Sequence, residues 1–379
     1  MSAQSSRREY SLSVEPLPFV LSRPHRTVVA RGASTEWADV EQAQRALRNG
    51  STSIVVGAIP FDIAAPCALR APLSATFTVG PIRPNEADAV LPTVTTVVAD
   101  PSGDEHVRRV RRLVERIKSG ELDKVVAARS LLVTCEDTIS PMALLHQLVA
   151  LDHVGNGFSV DLAPAGPHWE GRALVGASPE VLIRREGNEV SCWPLAGTAP
   201  RSHDPAIDAE RADTLLQSSK NLHEHAFVVD WLREQLSPLC ESLIVAPQPT
   251  LFPTPAVWHL GTPIRGTLRA PSISALDVAL AVHPTPAVGG TPHQEALRAI
   301  REIEGDRGFY AGAVGWCNAE GDGEWMVAIR CAEVYRNTAR AFAGGGIVDG
   351  SDPDEELAET SVKLRTLLAA MGVSDATVR

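Results

Sequence analysis

One stretch, residues 330–363, limits the architecture more than any other: RCAEVYRNTARAFAGGGIVDGSDPDEELAETSVK. An apolar, strand-like run leads into Gly344, Gly345 and Gly346, and a helix start follows within a few residues. Ser351 or Asp352 can cap that helix. Pro353 suits its first turn because no N–H is needed there, and Asp354 and Glu355 suit its positive end. Glu356, Glu359 and Lys363 then stand three and four residues apart and share one face. Glycine lets backbone amides come close to an anion, and carboxylates on the next helix can hold a hard divalent cation. A plain loop before a solvated acidic helix gives the same pattern, so the reading depends on the rest of the chain.

With 44% hydrophobic and 21% charged residues over 379 positions, the chain can bury a large core. Its net charge of -11, with no offsetting basic run, argues against a nucleic-acid or anionic-membrane partner. An anionic substrate would have to be attracted locally. Cys67, Cys135, Cys192, Cys240, Cys317 and Cys331 show no C-x-x-C spacing and lie mostly in apolar runs. That pattern favours reduced, packed thiols in a cytosol over disulfides or a zinc site. A polar N-terminus and the absence of any run of membrane-spanning length point to a cytoplasmic protein.

Along the chain, residues 1–95 hold short apolar runs (19–21 and 54–59) broken by Pro and Gly, a strand-rich part without a motif. Val107, Val110, Val114 and Ile117 predict an amphipathic helix over 104–118 closed by Gly120, followed by a strand over 123–134. Ser140–Pro141 starts another helix, running to about Leu151. Strands are expected over 158–195, with a hairpin turning at Glu186, Gly187 and Asn188. Helices are expected over 205–217 and 219–236, after Ser274 and after Pro292. A hairpin of 309–317 with 324–335 completes the series. Strands and helices come in groups without a strict βαβ rhythm, which predicts an α+β fold built on mainly antiparallel sheets.

Several residues could carry chemistry. Lys124 opens an otherwise apolar strand. It is either an edge lysine with its head in water or, facing a closed cavity where desolvation disfavours the ammonium, a general base. Its strand leads on to Arg129, which can serve the fold instead. Glu180 in GASPEVLIRR enters an apolar strand, where partial desolvation would let it donate a proton; a pairing with Arg184 or Arg185 is the alternative. Gly197 and Thr198, at a strand end in CWPLAGTAPR, can grip a carboxylate or simply form a turn. In SSKNLHEHAFVVDWL, His223 and His225 are two apart and diverge on a helix, which excludes the zinc reading and leaves Glu224 as an oxygen ligand for Mg2+. WHLGTPIRG and AVHPTPAVGGTP place His259 and His283 in conformationally fixed turns of the kind that build pockets, although a lone histidine is more often structural.

Together these motifs, in order from about Val110 to Met371, closely resemble the chorismate-utilising enzymes, and within them the isochorismate synthases of siderophore and menaquinone biosynthesis. The resemblance implies one large domain of packed antiparallel sheets with helices outside. Residues 96–379 would be the chorismate-binding catalytic region and 1–95 a divergent part of the same fold. It implies addition of water to chorismate at C2 and loss of the C4 hydroxyl, with Mg2+ bound. Lys124 matches the base and Glu180 the acid. Glu224 and Glu359 match direct metal ligands, and Glu356 matches one acting through water. Gly197, Thr198, His259, Tyr310, Arg330, Gly344, Gly346 and Lys363 match positions that grip the substrate or order the site. The lysine disfavours the ammonia-using anthranilate synthases, so no glutaminase subunit is expected; the chain itself is expected to be a monomer. The harder rival is a salicylate synthase, which goes on to eliminate pyruvate; a binding protein without activity would be expected to have lost the acid or the base. Relatives usually carry an acidic residue where this chain has Asn221, so weaker Mg2+ binding is expected, because an amide can still accept from a metal-bound water.

Overall fold

Strands and helices share the chain, and every strand pair among the described residues is antiparallel. The computed structural model describes residues 19–84 and 89–373; the parts of the 1–95 reading at 1–18 and 85–88 lie outside them. The strands form sheets of ten, nine and three members. The two large sheets share one core, to which Leu21, Val125, Phe158 and Leu174 contribute from the first and Ile183, Val190, Val314 and Trp325 from the second. A second cluster lies on the outer face of the ten-stranded sheet. There helices Pro141–Leu151 and Pro353–Ala370 cover Leu131, Val133, Ala332 and Ala339. The chain is thus an α+β fold with helices outside the sheets.

The N-terminal runs are interior members of these sheets. Strand Phe19–Arg23 pairs with Gly157–Asp161, and Ile54–Ile59 pairs with Ala313–Asn318. The central element is strand Lys124–Cys135, which pairs over ten residues with the glycine-bearing strand Thr338–Ile347. Its other edge is only partly covered. Gly290–Thr291 pairs with Val125 and Lys124, and Val94–Asp100 pairs from Ser130 onward, so 126–129 have no strand partner there.

Local signals account for the helix ends. Asp204 caps helix Pro205–Gln217 and Ser218 caps Ser219–Leu236, so one short break separates the two. Ser274 and Asp277 form a capping box at Ala275–Val282, and Pro292 precedes helix His293–Glu304. Two expectations need correction. The run 324–335 is two strands, Gly323–Val327 in the nine-stranded sheet and Cys331–Tyr335 in the ten-stranded one, because Arg330 turns the backbone with a left-handed φ of 51°. Its hairpin partner begins at Ala313 rather than at 309. Of the two capping candidates on the last helix, Asp352 is the cap, accepting from the amides of Asp354 and Glu355.

Candidate active site

A cavity of about 630 Å3, its open mouth included, lies where the ends of these strands meet helices Ser219–Leu236 and Pro353–Ala370. Glu180, Gly197, Thr198, Glu224, His259, Tyr310, Arg330, Gly344, Gly346 and Lys363 line it, and Lys124, Glu356 and Glu359 stand directly behind the glycines. The thirteen residues that the resemblance assigned to the site therefore converge.

The glycine run makes this convergence possible. It is not a loop: Gly344, Gly345 and Gly346 are extended within strand Thr338–Ile347. A Cβ on Gly346 would sit 2.0 Å from Glu224 Oε1, and one on Gly345 would sit 2.8 Å from Glu356 Oε2. Successive positions point to opposite faces, so carboxylates approach the bare strand from both sides. Strand Cys331–Tyr335 pairs only with 338–341, which leaves the glycine end with a free edge. There Lys363 Nζ donates to Gly344 O at 2.9 Å.

Lys124 is not an edge lysine with its head in water. It is 0% exposed, and its Nζ lies 3.2 Å from Glu224 Oε1, off the direction of a hydrogen bond and with no other acceptor. Glu180, 3% exposed, pairs with neither Arg184 nor Arg185. Arg184 bonds Glu186, and Arg185 donates to the carbonyls of Glu320 and Pro271. Burial pushes the Glu180 carboxyl up to about 7, against the Leu195 amide and the charges of Lys124, Lys363 and Arg330. It therefore holds its proton to near neutrality. A buried acid thus lines the cavity, and a buried lysine stands behind Gly346 beside Glu224, which also lines it.

The anion-gripping side is ordered by a relay. His259 lies within strand Val257–Gly261, not in a turn. Burial, with Arg330 and Lys363 adding, keeps its imidazole neutral, well below the usual range. Arg330 Nη2 donates to its Nε2 at 3.1 Å, which assigns the ring proton to Nδ1, 3.3 Å from Gly197 O and 3.2 Å from Thr198 Oγ1. Gly197 takes a φ of 79° at a bulge in strand Leu195–Pro200, so a residue with a Cβ would be strained there. Asn221 Oδ1 accepts from the Thr198 amide at 3.4 Å, and Tyr310 stacks on Phe342 at 4.8 Å. His283 bonds Pro60 O and does not line the cavity.

Each carboxylate behind the glycines has a lysine. Glu224 faces Lys124, Glu359 Oε1 accepts from Lys363 at 2.5 Å, and Glu356 Oε1 accepts from Lys220 at 3.0 Å. Glu356 Oε1 also accepts from Ser351 Oγ at 2.7 Å. Burial and the neighbouring Glu359 raise the Glu356 carboxyl to about 6. Among the described residues no three His, Cys, Asp or Glu side chains converge at metal-ligand spacing. Glu356 Oε2 is nonetheless buried without a partner, an orphaned hard oxygen that suits a divalent cation. Sequence reasoning missed Lys220 and Ser351 as partners of Glu356. The signal for Lys220 was present in its SxK position one turn before Glu224.

Comparison with known proteins bears on this geometry. The family model of chorismate binding enzymes matches residues 82–372. A Mycobacterium tuberculosis protein named "Putative isochorismate synthase MenF" is 48% identical over 371 residues, covering 96% of this chain and 98% of its own. The isochorismate synthase DhbC of Bacillus subtilis is 40% identical over 377 residues, covering 95% and 94%. A crystal structure from Bacillus anthracis, named as that of a "putative 2,3-dihydroxybenzoate-specific isochorismate synthase, DhbC", superposes with a TM-score of 0.87 at 40% identity. It covers 96% of this chain and 98% of its own.

Proposed function

Because this chain belongs to the chorismate-binding enzymes, we propose that it is an isochorismate synthase, feeding menaquinone or siderophore biosynthesis. The observation that carries this reading is a pair of buried groups of opposite function at one site: Glu180, which lines the cavity and holds its proton to near neutrality, and the fully buried Lys124, which stands behind Gly346 beside Glu224. Lys124 takes a proton from water as its oxygen bonds to C2 of chorismate. The ring double bonds shift, and Glu180 gives its proton to the C4 hydroxyl, which leaves as water. Each role contributes roughly 10²–10⁴ in rate. Arg330, Lys363 and Thr198 hold the carboxylates of the substrate, and the neutral His259 fixes Arg330 and the Gly197–Thr198 bulge beneath them.

Glu224 and Glu359, with Glu356 through water, would hold Mg2+; the orphaned Glu356 oxygen is the feature that fits it. Bound there, the ion would offset the three carboxylates and polarise a substrate carboxylate. The nucleophile is water, so the enzyme works without a glutaminase subunit. We read it as a cytoplasmic monomer, a reading that its six buried free thiols support as to compartment.

Incubation of the protein with chorismate and Mg2+, followed by chromatographic identification of the products, tests this reading. Isochorismate should accumulate with little salicylate or pyruvate, and EDTA should abolish turnover. Stoichiometric pyruvate would make the protein a salicylate synthase instead, and undiminished turnover in EDTA would remove the metal.

A further inference from the structure

Three residues that wall the cavity, Val126, Val288 and Tyr310, are held from behind by one side chain that does not line it. Arg307 Nη1 donates to Val288 O at 2.7 Å, and Nη2 donates to Val126 O at 2.9 Å. The guanidinium lies over the rings of Phe61, at 4.6 Å, and Tyr310, at 5.9 Å. Its remaining bonds go to Glu304, Nε to Oε2 and Nη2 to Oε1, each at 2.8 Å. Glu304 Oε1 in turn accepts from the Ala128 amide at 2.7 Å. Both side chains are buried in the pair, at 3% and 9% exposure.

These bonds fall on the one stretch of the Lys124 strand that has no strand partner on this edge, between the pairings at Val125 and at Ser130. Glu304 presents an acceptor and Arg307 donors there, as a neighbouring backbone would. The same guanidinium ties in the turn 285–290, whose Gly289 O accepts from the Val126 amide at 2.8 Å. A planar fork of donors spans two carbonyls and a carboxylate at fixed spacing, which an ammonium cannot do.

We propose that Arg307, charge-balanced by Glu304, is a positioning residue for the reaction, a side-chain substitute for the missing strand that sets the spacing between the Lys124 strand and the turn bearing Val288. Its kinetic consequence rests on the functional reading above; its structural consequence does not. Arg307→Lys keeps the charge beside Glu304 but loses the bridge between carbonyls. Glu304→Gln keeps an acceptor for Ala128 and leaves Arg307 on both carbonyls, while removing the charge partner. The two variants should therefore behave oppositely. Arg307→Lys should lose roughly 10–100-fold in kcat with KM little changed, and its Val126 amide should exchange faster with solvent. Glu304→Gln should lower Tm yet keep kcat within about threefold of the parent. A folded Arg307→Lys with parental kcat overturns the proposal, and so do equal losses of kcat in the two variants. If Arg307→Lys does not fold, the double variant Glu304→Gln/Arg307→Gln, which buries no net charge, meets the first criterion in its place. If the parent fails to turn over chorismate, the functional reading fails, and Val126 exchange in Arg307→Lys decides on the clamp alone.

Discussion

Replacing Glu180 by glutamine should make the protein more stable while nearly abolishing turnover, and the gain should grow with pH. The side chain is buried, and the ordinary carboxyl value of 4.5 is pushed up to about 7. The sign follows from linkage. Below 4.5 the carboxyl is protonated in both folded and unfolded chains and contributes nothing; above about 7 it is ionised in both, and the folded state bears the full cost of a buried charge. A rise from 4.5 to about 7, at ~1.4 kcal/mol per pH unit, corresponds to about 3 kcal/mol. Glutamine has the same shape, stays neutral and can still accept from the Leu195 amide. The difference in unfolding free energy between variant and parent should therefore climb by about 3 kcal/mol across that window and then level off. Urea titrations of both proteins in EDTA, at several pH values through the window, measure it. The turnover of the variant should fall by roughly 10² or more with KM little changed, and the parent's own rate should decline as pH rises through about 7, where the acid loses its proton. A stability difference that is flat with pH, or that falls, would refute the claim that Glu180 is a desolvated acid.

Three further outcomes are expected. Lys124→Ala should lower kcat by roughly 10² or more without a comparable change in KM; near-parental kcat would remove Lys124 as the base. Asn221→Asp keeps an acceptor for the Thr198 amide and adds a negative charge near Glu224. It should lower the Mg2+ concentration for half-maximal rate, and no shift would place residue 221 outside the influence of the metal. Gly346→Ala puts a carbon 2.0 Å from Glu224 Oε1 and should abolish Mg2+ binding by calorimetry even where the chain still folds; retained binding would mean that Glu224 is not a ligand.

The parts of this site that the sequence shows are those whose cause is local. Helix ends at Asp204–Pro205, Ser218 and Ser274 follow from caps, and Glu180 and Lys124 are visible as single charges opening apolar strands. The break at Arg330 is not legible, because a left-handed φ at a non-glycine residue is imposed by surroundings that switch the chain between sheets. Nor is the place of His259, which follows from pairing with Leu195–Pro200 and Thr250–Pro253. Ser351 and Asp352 are equivalent as local caps; only the buried Glu356 oxygen, five residues on, decides that Ser351 serves the carboxylate. The clamp at Arg307 answers a gap in a sheet edge made by strands distant in sequence, which no local pattern contains.

The interior placement of the N-terminal strands has a consequence for biosynthesis. Ile54–Ile59 has its partner in Ala313–Asn318, about 250 residues later. At ~5–20 residues per second the emerging chain waits roughly 12–50 s for that partner. The Lys124 strand waits similarly for Thr338–Ile347. Neither large sheet can close before residues 313–347 have left the ribosome, so these sheets form late and with high contact order. The unpaired edge of Ile54–Ile59 is exposed throughout, and this is the segment for which a nascent-chain chaperone should compete with aggregation.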